Sequence, residues 1–138
     1  MTTKEYLSQY KRMMEEVRCL DVEIEELFAR LTSTTAGYSD MPHSPNRVDN
    51  QTKLHSIMAD KLKVKRQKKE DAENLMAEVI EVIDSVTDPV YRQLLFERYI
   101  QDKEWVNIAD DIGYVEEYVR GELHGKALNE VRFIMFET

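Results

Sequence analysis

Apolar residues recur at alternating intervals of three and four along the first part of the chain, from Tyr10 to Leu31. This spacing keeps one stripe of a helix apolar over several heptads, and it predicts a helix from about residue 3 to residue 31 that packs lengthwise against another helix. Thr2 followed three residues later by Glu5 predicts a capping box at the start. The stripe consists of Tyr10, Met13, Val17, Leu20, Ile24, Leu27 and Leu31.

A second apolar stripe predicts another long helix, from Asp49 or Asn50 to Val86. Two long amphipathic helices in succession predict a long antiparallel, coiled-coil-like hairpin over residues 1–86. The apolar positions of the second helix are Leu54, Ile57, Met58, Leu62, Leu75, Val79, Val82, Ile83 and Val86.

Residues 32–48 separate the two stripes and contain prolines, small polar residues and no helical period. Such a composition predicts a loop. Loops of this length inside compact proteins are often functional. The portion from Tyr38 to Pro45 is therefore either a recognition element or a solvated connector.

A basic run from Lys61 to Lys69 occupies the middle of the second helix and admits two interpretations. It is either a nucleic-acid patch or the partner of an acidic stripe on the first helix. In an antiparallel hairpin, Glu15, Glu16 and Asp21 lie level with Gln67, Arg66 and Lys61. This match of opposite charges favours ion pairing between the helices.

The last third of the chain predicts three further helices. Asp88-Pro89 suits a helix start, because Asp caps a helix and proline fits its first position, and this helix runs to about Ile100. A short helix over 104–111, a turn over 112–114 and a last helix over 115–131 follow. Residues 87–138 therefore form a helix-turn-helix module, and the fold class is all-α. The inward residues are Leu94, Leu95, Tyr99, Trp105, Ile108, Ala109, Val119, Leu123, Ala127 and Leu128.

The net charge of −8 has the wrong sign for nucleic-acid binding by electrostatics alone. Residues 87–138 hold six Lys or Arg against eleven Asp or Glu, a charge of −5. Any DNA binding must then depend on specific base contacts or on a partner.

Several classes of protein are disfavoured by the sequence. No apolar run approaches the roughly 20 residues that span a bilayer, and the N-terminus lacks a signal core, so we expect a cytoplasmic protein without a membrane partner. Cys19 is the only cysteine, which excludes an intrachain disulfide, and we expect it to be a small buried residue. There is no phosphate loop, paired-histidine motif or nucleophile elbow. We therefore expect no enzyme activity, catalytic residues, cofactor or metal.

The segment from Trp105 to Tyr114, continued by Val119, Leu123, His124, Ala127, Leu128 and Arg132, resembles the C-terminal helix-turn-helix of bacterial sigma factors. The whole chain is similar to a family of proteins from Gram-positive phages and prophages. That similarity is carried by residues 4–7, 38–44, 98–100, Trp105 and 123–128. The layout also resembles phage late-transcription regulators of the ArpU and RinA kind, which implies control of late genes.

The resemblance implies that the first turns of the last helix read bases in a major groove. Its candidate DNA-binding residues are Glu116, Glu117, Tyr118, Arg120 and His124. An arginine can bind guanine in bidentate fashion, and a glutamate can accept from the amino group of cytosine. The alternative is a charged helix face that contacts only solvent.

Two functions follow as expectations. The first is a DNA-binding transcriptional regulator that binds a specific site weakly alone, acting as a homo-oligomer through residues 3–86 or with RNA polymerase. The second is a protein-interaction adapter that keeps the helix-turn-helix only as a scaffold. The adapter is consistent with the acidity and with the apolar run from Phe133 to Phe136.

Overall fold

The computed structural model describes residues 1–36 and 45–136, and within them all regular secondary structure is helical. The all-α class is therefore confirmed. The helical segments that cover residues 116–118, 119–123 and 124–136 follow one another without a break, and we refer to residues 116–136 together as the last helix. The elements are α1 (Thr3–Ala36), α2 (Pro45–Asp84), α3 (Pro89–Tyr99), α4 (Trp105–Ile112), α5 (Glu116–Tyr118), a π-helical segment (Val119–Leu123) and α6 (His124–Phe136).

The capping box at the start of α1 is confirmed. The Thr2 amide donates to Glu5 Oε2 at 3.0 Å, and the Glu5 amide donates to Thr2 Oγ1 at 3.1 Å. Each side chain thus satisfies a backbone donor that the first turn leaves free.

Both long helices extend into the segment expected to be a loop. α1 continues to Ala36, and the Thr32 hydroxyl donates to the Phe28 carbonyl at 2.8 Å, so this polar side chain is satisfied within the helix. α2 already begins at Pro45, since proline is tolerated at the first helical position. The candidate recognition element falls on residues 37–44, which lie outside the described residues, and on Pro45.

The chain divides into two compact units: residues 14–71, and residues 1–13 together with 72–138. We call them the long-helix unit and the C-terminal unit. This division differs from the expected boundary at residue 86, because the start of α1 and the end of α2 belong to the C-terminal unit. There Leu7 and Val79 are fully buried in one core with the residues of the later helices.

Three lysines of α2 pair with three acidic residues of α1 in the long-helix unit. Later residues of α2 meet earlier residues of α1, so the helices run antiparallel along this stretch. The structure shows ion pairing for these lysines, but in another register than expected: Lys61 meets Glu23 rather than Asp21, and Glu16 meets Lys68 rather than Arg66. The pairs are Lys61–Glu23 at 2.8 Å, Lys65–Asp21, and Lys68–Glu16 at 2.6 Å.

The paired lysines also belong to the heptad stripe of α2. Residues 54, 58, 61, 65 and 68 alternate in steps of four and three, so lysines replace apolar residues at three successive stripe positions. Their side chains are only 31–37% exposed. A lysine stem can cover apolar surface while its amine reaches outward, and here each amine ends on a carboxylate.

Cys19 is exposed, and the expectation that it is buried is wrong. It lies two residues after Val17, which is buried. Two residues correspond to about 200° around an α-helix, so the side chain points away from the buried stripe.

The C-terminal unit encloses the larger core. It buries side chains of α3, α4 and the last helix, as the apolar spacing of the last third predicts. Side chains from α1, from the end of α2 and from Val86 after α2 join the same core. The buried members are Leu7, Val79, Ile83, Val86, Leu94, Leu95, Tyr99, Ile108, Ala109, Val119, Leu123, Ala127 and Val131.

Candidate nucleic-acid interface

Asp88 fixes the start of α3, as the sequence predicts. Its Oδ1 atom accepts from the amides of Val90 at 2.8 Å and Tyr91 at 3.4 Å, and Pro89 occupies the first helical position. Leu94 and Leu95 of α3 are fully buried in the core of the C-terminal unit.

Lys103 closes the turn between α3 and α4. Its amine donates to Glu97 Oε1 at 2.6 Å and to Asp111 Oδ2 at 2.9 Å, and its amide donates to the Glu97 carbonyl at 3.0 Å. The preceding residue, Asp102, has a positive φ of 55° and pairs with Lys11 of α1 at 2.7 Å. The turn is thereby attached to α1, α3 and α4.

Glu97 is a buried acid that sequence reasoning missed. Its side chain is 5% exposed, and its Oε2 atom has no hydrogen-bond partner among the described residues. Burial raises the pKa of Glu97 because the charged form loses water. No local pattern marks this position, since its partner Lys103 lies in the following turn.

Gly113 connects α4 to the last helix. Its φ of 80° lies in the left-handed region, where a side chain would cause strain. Its amide donates to the Ala109 carbonyl at 2.9 Å, and the Tyr114 amide donates to the same carbonyl at 3.1 Å. Three residues, 113–115, therefore separate α4 from the last helix.

The last helix contains a π-helical turn beside Arg120. In an α-helix the His124 amide would donate to the Arg120 carbonyl, but here it donates to the carbonyls of Gly121 and Val119. The π turn thereby replaces the regular α-helical hydrogen-bond pattern between Val119 and His124.

His124 is neutral and buried in this arrangement. Burial lowers the pKa of His124 to about 4, with contributions from the charges of Lys4 and Arg98. Its Nε2 atom lies 2.7 Å from the Tyr99 hydroxyl. A neutral imidazole has one donor and one acceptor, and its tautomer decides whether Nε2 accepts from the Tyr99 hydroxyl or donates to it.

Trp105 completes the packing around His124. The two ring centroids lie 4.6 Å apart in an edge-on arrangement. The Arg98 guanidinium lies 4.4 Å from the centroid of the Trp105 ring, and its Nη1 donates to the Lys103 carbonyl at 3.0 Å. Cation–π contact and hydrogen bonding together fix Arg98 between α3 and α4.

Four of the five candidate DNA-binding residues reach the surface. Glu117 and Arg120 are exposed, while Glu116 and Tyr118 are half-buried. His124 does not lie on this surface, since it is 8% exposed. Its periodic position matches the face of Arg120, but its ring is held inward by the contacts just described.

Carboxylates dominate the start of the last helix. Glu116 and Glu117 lie in its first turn, where negative charge interacts favourably with the helix dipole. Arg120 Nη1 lies 3.8 Å from Glu116 Oε1, an exposed pair. The adjoining turn exposes Tyr114 (48%) and Val115 (72%). The surface is therefore one arginine among carboxylates, bordered by apolar groups.

Metal and membrane sites have requirements that the described ranges do not meet. No three His, Cys, Asp or Glu side chains in residues 1–36 and 45–136 come together as a possible metal site. None of the described helices has the length and apolarity to cross a membrane.

Comparison of the chain with protein-family models, curated proteins and solved structures gave no match.

Proposed function

We propose that this protein is a DNA-binding transcriptional regulator in which α4 and the last helix act as a helix-turn-helix. The observation that carries the proposal is the exposure of Arg120 on the second turn of a helix that follows α4 through a three-residue turn at Gly113. Such a helix presents its first turns to a major groove. The resemblance to phage late-transcription regulators suggests late genes as the target.

Arg120 is the residue most suited to base reading in this proposal. Its pair with Glu116 at 3.8 Å is exposed, and such pairs contribute about 0–1 kcal/mol. Arg120 can therefore leave Glu116 at little cost and donate to O6 and N7 of a guanine. In this proposal Glu117 accepts from the amino group of a neighbouring cytosine. Tyr118 packs against Tyr114, with the two ring centroids 5.6 Å apart.

The acidity of the surface determines how binding must work. Few phosphates can be neutralised by a segment of charge −5, so non-specific affinity should be very low. Base contacts or a partner must supply the rest of the binding free energy. We assign this partner role to RNA polymerase, contacted alongside the DNA, with the long helices available for self-association or for polymerase contact.

A second candidate function, a protein-interaction adapter, is favoured by a separate observation. Tyr114 and Val115 are exposed directly beside Glu116 and Glu117. Exposed apolar groups bordered by carboxylates suit a basic protein surface better than a phosphate backbone. In this interpretation the turn at Gly113 only holds the surface in place.

Selection from a random DNA library distinguishes the two functions. The purified full chain should enrich one motif weakly alone and more strongly with RNA polymerase, with a shallow salt slope of about −0.9 per phosphate contact. Arg120→Ala should abolish enrichment, whereas Lys65→Ala, which changes a lysine paired with Asp21, should leave it unchanged. Failure to enrich any motif under either condition would reject the regulator and favour the adapter.

A further inference from the structure

A groove lies between the start of α1 and the last helix, both within the C-terminal unit. It has a volume of about 670 Å³. Residues 1–4 form one wall, and the exposed face of the last helix from Gly121 to Phe136 forms the other. None of the candidate DNA-binding residues lines it, so it is separate from the surface around Arg120.

Two glycines leave open space in the wall of the groove that the last helix forms. A Cβ atom added at Gly121 or at Gly125 would meet no atom within 4 Å. Neither glycine is needed for packing within the described chain, although each weakens a helix by about 1 kcal/mol relative to alanine. They lie one helical turn apart, so together they allow the backbone of another helix to approach closely.

The charge of the groove is opposite to that of the chain. Lys4, Lys126 and Arg132 line it, against a single carboxylate, Glu122. Lys126 pairs with Glu122 at 3.3 Å. Within the described residues no carboxylate lies within ion-pair distance of Lys4 or Arg132. Among the described residues, two cations without a carboxylate partner therefore line this groove, in a protein of net charge −8.

Apolar side chains border the same groove. Met1 is 78% exposed and Phe136 is 64% exposed, and half-buried Leu128 lies along the wall between the glycines and Phe136. Phosphates would leave these apolar groups without a partner. An amphipathic segment with carboxylates beside its apolar stripe would satisfy both kinds of group.

We propose that this groove binds an acidic amphipathic helix of a partner protein. The wall from Gly121 to Phe136 spans sixteen residues, or about 24 Å of helix, which matches a partner of about four turns. Apolar residues of the partner contact the glycines and Phe136, and its carboxylates pair with Lys4 and Arg132. This site is independent of whether the surface around Arg120 reads DNA.

Titration of the isotopically labelled full chain with a designed peptide tests the proposal by NMR. The probe is a helical peptide of about 16 residues, a length taken from the roughly four turns of the groove, with leucine along one stripe and glutamate elsewhere. The comparison peptide replaces every glutamate with lysine. We expect saturable shifts at Lys4, Gly121, Gly125 and Arg132 with the acidic peptide only. Equal binding of both peptides, or no shift in the groove, would overturn the proposal.

Variants of the groove test whether the peptide binds there without changing how the chain folds. Gly125→Leu should fold, because its Cβ meets open space, and it should lower the peptide affinity at least about tenfold, a loss of about 1.4 kcal/mol. Arg132→Glu should weaken binding similarly. The matched control Gln93→Leu, at an exposed position of α3 outside the groove lining, should bind as the unaltered chain does.

Two outcomes contradict the proposal directly. If Gly125→Leu binds the acidic peptide with unchanged affinity, the peptide does not occupy the groove. If a random-sequence DNA duplex shifts the groove residues and displaces the peptide, the cations serve phosphate binding and the partner is not a protein helix.

Discussion

The Tyr99 hydroxyl lies 2.7 Å from Nε2 of His124, the residue that directly follows the π-helical segment Val119–Leu123. One buried imidazole therefore links α3 to the π turn that carries the exposed arginine. π turns often mark functional positions in helices. Here the ring beside the turn is neutral, because burial lowers the pKa of His124 by disfavouring its charged form.

The stability of the C-terminal unit should fall with acid because of His124. Its folded-state pKa of about 4 lies below the ordinary value of 6.5, so the unfolded chain binds more protons between these values. The stabilising contribution is complete above pH 6.5 and is lost as the pH falls through 4. This contribution of His124 to the free energy of unfolding amounts to about 3 kcal/mol. Urea unfolding at about pH 7, 6, 5 and 4 measures the loss.

His124→Phe supplies the control, because carboxylates also titrate in this range. The variant should be less stable than the unaltered chain at about pH 7, since the Tyr99 hydroxyl loses its hydrogen-bond partner. The difference between the two proteins should shrink towards the folded-state pKa of about 4. A difference that stays constant would show that His124 does not titrate with folding.

Trp105→Ala should destabilise the C-terminal unit by about 3 kcal/mol, near the lower end for a large aromatic because Trp105 is only half-buried. The loss should spread to the end of α2, whose Val79 and Ile83 share the same core. Hydrogen exchange should show residues 72–86 losing protection together with 87–136, while residues 14–71 retain theirs. Loss of protection confined to 87–136 would contradict this division.

Lys65→Leu should stabilise the long-helix unit by about 1 kcal/mol. Lys65 occupies a stripe position of α2, and its exposed ion pair with Asp21 contributes less than an apolar side chain buried at the same place. Lys63→Leu is the matched control, because residue 63 is exposed and lies off the stripe. Thermal unfolding followed by circular dichroism compares the stabilities of the two variants. Equal changes in stability would show that the stripe is not buried at Lys65.

The full chain should self-associate through its long helices. Val22 and Phe28 are 62% and 60% exposed on α1, and a pair of helices has too little interior to cover such groups. Phe28→Asp should shift the protein from dimer to monomer in light scattering at micromolar concentration. Ser33→Asp adds the same charge at another exposed position of α1 and should leave the dimer intact. A monomeric unaltered chain would reject self-association.

Features of short range were predictable from the sequence. The capping box of Thr2 and Glu5, the Asp88 cap and the turn at Gly113 all depend on groups that are close to one another in the sequence. The apolar residues buried on α3, α4 and the last helix follow from the apolar period, whereas the burial of Glu97 and His124 does not. The predicted end of α1 and the predicted start of α2 were less accurate, because Thr32 and Pro45 are compatible with both a loop and a helix.

Features that join distant parts of the chain were decided by the tertiary structure. His124 lies 25 residues from Tyr99, and its periodic position gave no sign that the ring is held inward. The groove needs Lys4 beside Lys126 and Arg132, and the core needs Leu7 beside Val79. Backbone hydrogen bonds and apolar periodicity act over three or four residues, so they determine each helix and its buried face. Which helices meet, and in what register, depends on packing among all of them at once.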